Sequence, residues 1–137
     1  MNDFRVSLQA LRHGWATIKF ESNVQELVYV VSYISADALS ALADSALMAM
    51  QNKPYQTRFY LEPEYLPYEV TPCDDEIDIL VGDTHFSCGL RRYARQILKM
   101  FDSYLFSHSI EEYAAQWHCD YPEEAVEQLR EQLRRIT

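Results

Sequence analysis

The sequence predicts an α+β fold in which an antiparallel sheet of about five strands packs against helices. Segments with β-strand alternation fall into two groups, two strands before a first helix and three after it. Short turns join neighbouring strands, which favours antiparallel pairing. Helical periodicity dominates the C-terminal part of the chain. The length of 137 residues fits a single domain spanning residues 1–137.

The first strand group precedes the first helix. Gly14 and Trp15 open a strand that runs to Phe20, and apolar and polar residues alternate along it. Residues 27–33 are rich in β-branched and aromatic side chains, which indicates a more deeply buried strand. Residues 4–8 are compatible with a short additional strand at the start of the chain.

The first helix is predicted over residues 36–51. Ser35 is a suitable N-cap, and leucine, alanine and methionine recur at helical spacing on one face. Pro54 marks the stop, because proline cannot continue a helix.

Three strands are predicted next, over residues 57–61, 65–71 and 76–81. Pro67 indicates that the middle one lies at a sheet edge or contains a bulge, because proline cannot donate to a ladder. In the last one, the alternation predicts that Ile77, Ile79 and Val81 face the core and that Asp78 and Leu80 face away.

Helices are predicted over the remainder. An apolar stripe indicates a long helix over residues 90–105, and Ser109 with Glu112 forms a capping box for a shorter one. Pro122 sits at a favourable first helical position. The last helix is predicted from the apolar residues Val126, Leu129, Leu133 and Ile136.

The net charge and the cysteine content restrict the classes of function and the cellular compartment that are expected. With 21 acids against 12 bases, the formal net charge is −9, which disfavours direct nucleic-acid binding because counterion release needs a basic protein. No apolar run is long enough to span a bilayer, and the first residues lack the pattern of a signal peptide. Three cysteines without CxxC spacing favour a reducing compartment. We therefore expect a cytoplasmic protein that does not engage membranes and needs no cofactor.

The most informative stretch runs from Phe59 to Leu90, which contains eight acidic residues and no lysine or arginine. Tyrosines are interleaved with these acids on the predicted strands. Carboxylates beside large amphipathic rings suit a basic partner and not a phosphate. The acids are Glu62, Glu64, Glu69, Asp74, Asp75, Glu76, Asp78 and Asp83, and the tyrosines are Tyr60, Tyr65 and Tyr68.

Metal binding and catalysis are alternative roles for the same residues and for the histidines and cysteines. The acids around Asp75 offer oxygen ligands for Mg²⁺ or Ca²⁺, but the glycine of a calcium loop and the nearby lysine of a metal-dependent nuclease are missing. Histidine and cysteine pairs at residues 85 and 88 and at 118 and 119 match no common zinc spacing. No nucleophile elbow or phosphate-binding glycine loop is present. We therefore predict no catalytic residue and no metal ligand.

Basic side chains at Arg91, Arg95 and Lys99 form a stripe on the predicted long helix. Two interpretations stay open for it. The stripe is either an exposed helix face, docked against the acidic hairpins of the same molecule, or a contact for phosphate.

Three segments together resemble small bacterial toxin-immunity proteins, the inhibitors encoded beside contact-dependent or polymorphic toxins. They are Gly14-Trp15-Ala16, the sequence Val31-Ser32-Tyr33-Ile34-Ser35 entering an alanine-rich helix, and residues 59–64 followed by an acidic strand. The resemblance covers roughly the first hundred residues. It implies a non-enzymatic protein that binds a cognate toxin domain, often a basic nuclease, and blocks its active site or another surface.

Under this resemblance the acidic stretch supplies the partner-binding residues, and the protein is a monomer or a weak homodimer. Carboxylates would provide charge complementarity and tyrosines the anchors. A solvated hairpin rim, a small enzyme with a carboxylate or metal site, and an adaptor assembling through its C-terminal helices remain as alternatives. The predicted partner-binding residues are Glu62, Glu64, Tyr65, Tyr68, Asp74, Asp75, Glu76 and Asp78, with Tyr60 as either an anchor or a core residue.

Overall fold

The computed structural model describes residues 3–135 and confirms an α+β fold with an antiparallel sheet. The sheet has seven strands instead of about five, and each strand pairs with the one before it in the chain. The strands are β1 (Arg5–Arg12), β2 (Trp15–Glu21), β3 (Glu26–Ser32), β4 (Tyr55–Tyr60), β5 (Tyr65–Cys73), β6 (Glu76–Val81) and β7 (Thr84–Gly89). The helices are α1 (Ala38–Met50), α2 (Leu90–Ser107), α3 (Ile110–Trp117) and α4 (Glu123–Arg135). Ile136, predicted in the last helix, lies outside the described residues.

The strand β7 has no counterpart in the sequence prediction. It contains a serine, a histidine and a glycine besides the strand-favouring Thr84 and Phe86, so its strand pattern is weak. Tertiary packing supplies the missing preference, because Phe86 and Cys88 are buried in the core while His85 and Ser87 point to the opposite face.

The sheet bends sharply between β3 and β4, which pair only at Ser32 and Tyr60 within the described chain. Strands β1 to β3 therefore fold over strands β4 to β7. Phe20 of β2 contacts Tyr68 of β5, with ring centroids 5.7 Å apart, although three strand boundaries separate these two strands. Phe4, next to β1, packs edge-on against Phe86 of β7 at 5.4 Å. One hydrophobic core lies between the two halves and the helices.

The helix α1 begins two residues later than predicted. Asp37 is its N-cap, and its carboxylate accepts hydrogen bonds from the Ser40 amide at 3.1 Å and from the Trp117 indole at 2.7 Å. Ser35, the predicted cap, has a φ of 77° and lies outside the helix. The aspartate is favoured because its side chain satisfies the helix end and also binds α3.

The other helices follow the predicted pattern. Ser109 and Glu112 form the capping box of α3, with reciprocal bonds of 3.0 and 2.9 Å. In α4, Arg130 donates two hydrogen bonds to Asp102 of α2, at 2.9 and 3.1 Å. Within residues 3–135, no helix is long and apolar enough to cross a membrane.

The prediction that Pro67 marks an edge or a bulge is wrong, because β5 is an interior strand with regular pairing to β4 and β6. The carbonyl of Pro67 accepts a hydrogen bond from the Gly82 amide at 2.8 Å, in the turn after β6. In an antiparallel ladder the amide and carbonyl of one residue face the same neighbour. The missing amide of Pro67 therefore faces a turn, where no strand requires a donor.

Candidate partner-binding surface

The structure distributes the acidic residues over three places instead of one. Glu62 and Glu64 lie in the turn between β4 and β5, and Asp74 and Asp75 in the turn between β5 and β6. These turns are at opposite ends of β5, whose nine residues hold them roughly 25 Å apart at the usual strand rise. Glu69 and Asp78 lie between the two ends, on the face of the sheet turned away from the core.

The first of these places, which we call the Glu62 end, comprises Glu62, Glu64 and Tyr65. Both carboxylates are exposed, and Tyr65 is 42% exposed. The Tyr65 ring stacks at 4.9 Å from Tyr60 and carries the Arg58 guanidinium 4.2 Å above its centroid. The Glu62 end therefore combines accessible acids with a pre-positioned aromatic ring, on which a cation is already seated.

The second place, the Asp75 end, comprises Asp74, Asp75 and Glu76, all of them exposed. It adjoins the start of α2, where the Leu90 amide donates to the backbone carbonyl of Asp75 at 2.8 Å. A cavity of about 680 Å³ opens here, lined by Asp75 together with Arg91, Arg92 and Arg95. Basic groups of the same molecule therefore weaken the negative field at the Asp75 end.

Asp78 lies on the outer sheet face, within β6. Its carboxylate lies 2.9 Å from Nδ1 of His85 on the neighbouring strand. Ile77, Ile79 and Val81 are buried while Asp78 and Leu80 are on the other face, so the predicted alternation of β6 is confirmed. Asp78 thus forms a local pair, in contrast to the acids in the turns.

Tyr68 does not belong to the surface, and its assignment as a partner-binding residue is wrong. It is fully buried, with its ring stacked on Phe59 at 5.0 Å. Its hydroxyl bonds to the Tyr93 hydroxyl, which in turn lies 2.6 Å from the Ser45 hydroxyl. Burial raises the pKa of Tyr68 well above its ordinary value. The strand period explains the error, because Tyr65 and Tyr68 are three residues apart and therefore face opposite sides of β5.

The acids in the turns form no ion pair within residues 3–135. Of the eight acids between Phe59 and Leu90, Asp78 alone forms an ion pair within residues 3–135. Several acids elsewhere are paired with arginines: Asp102 and Glu127 with Arg130, and Glu131 with two arginines of its own helix. The stretch from Phe59 to Leu90 differs in that seven of its eight carboxylates form no ion pair within residues 3–135 and no lysine or arginine lies within the stretch to offset them.

The basic stripe stands free of these acids. Arg91, Arg95 and Lys99 are exposed, and none forms an ion pair in the part of the chain that the structure describes. In the described residues, the stripe is therefore not docked on the acidic hairpins through ion pairs. Arg91 and Arg95 only lie near Asp75, with which they line one cavity.

The cysteine and histidine pairs are not brought together for metal binding. Across residues 3–135, no three histidine, cysteine, aspartate or glutamate side chains converge on a site for an ion. His85 is exposed on the outer face, while Cys88 is buried on the core face. Burial raises the pKa of the Cys88 thiol to about 12, which keeps it protonated and unreactive at neutral pH.

Sequence reasoning missed Val28 and Val30 as surface residues. Their strand was expected to be deeply buried, yet the two side chains are 50% and 49% exposed on the outer face of β3. A continuous apolar run gives no signal that one of its faces is open, because burial on both faces produces the same composition. Their exposure is decided by the bend after Ser32.

The chain was compared with protein-family models, curated proteins and solved structures, and nothing in the three matches it. The candidate partner-binding surface is therefore assigned from the residues of this chain alone.

Proposed function

We propose that this protein binds a basic protein partner through the acidic hairpins, and that it acts as a cytoplasmic immunity protein which neutralises a cognate bacterial toxin domain. The partner class is a basic nuclease. The protein itself acts by occupying a surface of the toxin and not by catalysis. It would do so as a monomer or a weak homodimer.

One observation carries the proposal: the acids in the turns and Glu76 are exposed and form no ion pair in residues 3–135. Clustered like charges cost a folded protein several tenths of a kcal/mol for each close pair. Charge pairs formed with a partner are worth about 1.5 to 7 kcal/mol in coupling energy. Each group of neighbouring turn acids is therefore slightly unfavourable in the free protein and useful in a complex.

A basic nuclease fits this surface for a physical reason. An enzyme that binds a phosphate backbone needs lysine and arginine side chains along its substrate groove. Those side chains complement the carboxylates Glu62 and Glu64, and Tyr65, whose ring already carries the Arg58 guanidinium, is 42% exposed and offers further contact surface beside them. Occupying the groove would exclude the nucleic acid.

The first experiment is genetic. We expect the gene to follow directly one that encodes a large secreted protein with a variable C-terminal domain. Expressing that domain alone should arrest bacterial growth, and co-expressing this protein should restore it. The purified pair should associate with an affinity that falls as salt rises. A domain that arrests growth but is neither bound nor neutralised would contradict the proposal.

The matched control is a charge-neutral variant, Glu62→Gln with Glu64→Gln. It keeps the turn and the side-chain length while removing two charges. Under the proposal it protects cells less well than the wild type at equal expression. Equal protection would show that the carboxylate charges are not used.

A further inference from the structure

One edge of β3 is open. Tyr33, directly after the strand, donates to the Gly14 carbonyl at 3.0 Å, which shows that odd-numbered residues of this strand bond to β2. The amides and carbonyls of Val28 and Val30 therefore point away from β2. Within residues 3–135, no strand pairs with β3 before Ser32, so these four backbone groups have no strand partner.

This edge lacks the features that usually protect one. Natural sheets cover exposed edges or place charged residues and proline on them. The corresponding edge of β4 follows that rule, because it carries Arg58 and is preceded by Lys53 and Pro54. On β3 the outward-bonding positions in the middle of the strand are two half-exposed valines instead. The open edge of β3 is therefore a template for another strand.

The surroundings of this edge are acidic. Beyond the Ser32 to Tyr60 pair, β4 runs into the turn that carries Glu62 and Glu64, and the Tyr29 hydroxyl lies next to Gly82, beside Asp83. Glu26 begins the strand itself. The nearest lysine, Lys19 on β2, is held by Glu21 at 3.6 Å and Glu26 at 3.3 Å.

We infer that the partner adds a basic β-strand to the open edge of β3, with backbone bonds to Val28 and Val30 and with lysine or arginine side chains meeting Glu26, Glu62 and Glu64. This inference rests on the proposed function and specifies how the partner docks. A second copy of the chain fits less well, since it would bring two molecules of charge −9 together at an acidic edge.

The test uses hydrogen exchange of the wild-type protein by NMR. The probe is a ten-residue peptide of alternating lysine and valine, and its control alternates glutamate and valine. The lysine peptide should slow exchange at the Val28 and Val30 amides by about tenfold, which is the expected effect of one added hydrogen bond. Tyr29 and Val31 are internal controls, because their amides already bond to β2.

A proline variant tests the same edge by a second route. Val28→Pro removes an amide that has no strand partner in the free protein, so the fold should tolerate it. Val28→Thr keeps the amide and the β-branched shape. We expect the proline variant to lose about tenfold in affinity for the lysine peptide and the threonine variant to lose little.

Each outcome separates the inference from the proposed function. Exchange at Val28 and Val30 that is slowed by the lysine peptide, and not by the glutamate peptide, supports the inference. Binding of that peptide without slowed exchange there would overturn strand addition and leave the basic-partner proposal standing. Equal effects of both peptides would overturn the basic occupant. Dimerisation of the wild type, abolished by Val28→Pro in analytical ultracentrifugation, would assign the edge to a second copy and overturn the inference.

Discussion

The two ends of β5 carry similar numbers of carboxylates but present them in different electrostatic settings. At the Glu62 end, exposed acids lie beside a half-exposed tyrosine and the open edge of β3. At the Asp75 end, the acids share a cavity with Arg91, Arg92 and Arg95. Three arginines lie at the Asp75 end, whereas the Glu62 end has one nearby cation, Arg58 over the Tyr65 ring, so positive charge of the same molecule offsets the Asp75 end more.

A run of like charges in the sequence therefore does not form a single surface in the folded protein. A nine-residue strand separates its two turns by more than two Debye lengths at physiological salt, about 8 Å each. The two ends can therefore act independently, and the Glu62 end is the better candidate for contact with a basic partner.

The largest expected effect concerns the strand that connects the ends. Tyr68→Ala should lower the free energy of unfolding by about 3 to 5 kcal/mol, because it empties a buried aromatic site. Tyr65→Ala should change it by less than about 1 kcal/mol, since that side chain lies at the surface. Urea denaturation measures both. Similar losses for the two variants would contradict the assignment of opposite faces.

The next effect compares the ends directly. Glu62→Lys with Glu64→Lys should weaken binding of the cognate domain by about 100-fold, and Asp75→Lys with Glu76→Lys by about tenfold. The change in net charge is identical, so position alone distinguishes the variants. Calorimetric titration at low and high salt measures the affinities, and thermal melts check folding. A larger loss at the Asp75 end would reverse the comparison.

A smaller effect follows from removing the arginines. Arg91→Ala with Arg95→Ala should raise the affinity for the cognate domain by about threefold. The two arginines partly neutralise the acids at the Asp75 end, and an exposed charge interaction of this kind is worth up to about 1 kcal/mol. The same double variant in the Asp75→Lys, Glu76→Lys background should show a reduced effect. An unchanged affinity in both backgrounds would mean that this end makes no contact.

The smallest expected effect is on thermal stability, and it comes from Asp44, which lies away from the candidate partner-binding surface. Burial, and then the Asp37 carboxylate, raise the pKa of Asp44 above 3.8 in the folded protein, so the folded state favours the protonated form. This contribution is fully present below pH 3.8 and is lost as the pH rises through the raised pKa. Asp44→Asn should therefore raise the Tm by about 1 to 2 °C at pH 7 and not at pH 3.5. A gain at both pH values would contradict this cause.

Local patterns were sufficient to predict much of the fold. The capping box of Ser109 and Glu112 and the alternation of Ile77, Ile79 and Val81 are confirmed because each depends on neighbouring residues alone. The strand β7 and the interior position of Pro67 were missed. Each depends on what lies beside the residue in space, the core in one case and the Gly82 turn in the other.

The acidic surface was predicted in part. The exposure of Glu62, Glu64, Asp74 and Asp75 followed from turn chemistry, since turns lie at the surface. Tyr68 was misplaced because a list of interleaved tyrosines ignores which face of the strand each one occupies. Counting by twos from buried Leu66 assigns Tyr68 to the core face, so a stricter use of the strand period identifies it.

The sequence alone determined that this protein has an α+β fold and carries a long acidic stretch with no lysine or arginine, because composition and periodicity are properties of the chain itself. Only the tertiary structure decided how that charge is divided. The length of β5 sets its two turns apart, the start of α2 brings arginines to one of them, and the bend after Ser32 opens the edge of β3 beside the other. These are contacts between segments distant in sequence, which no local pattern encodes.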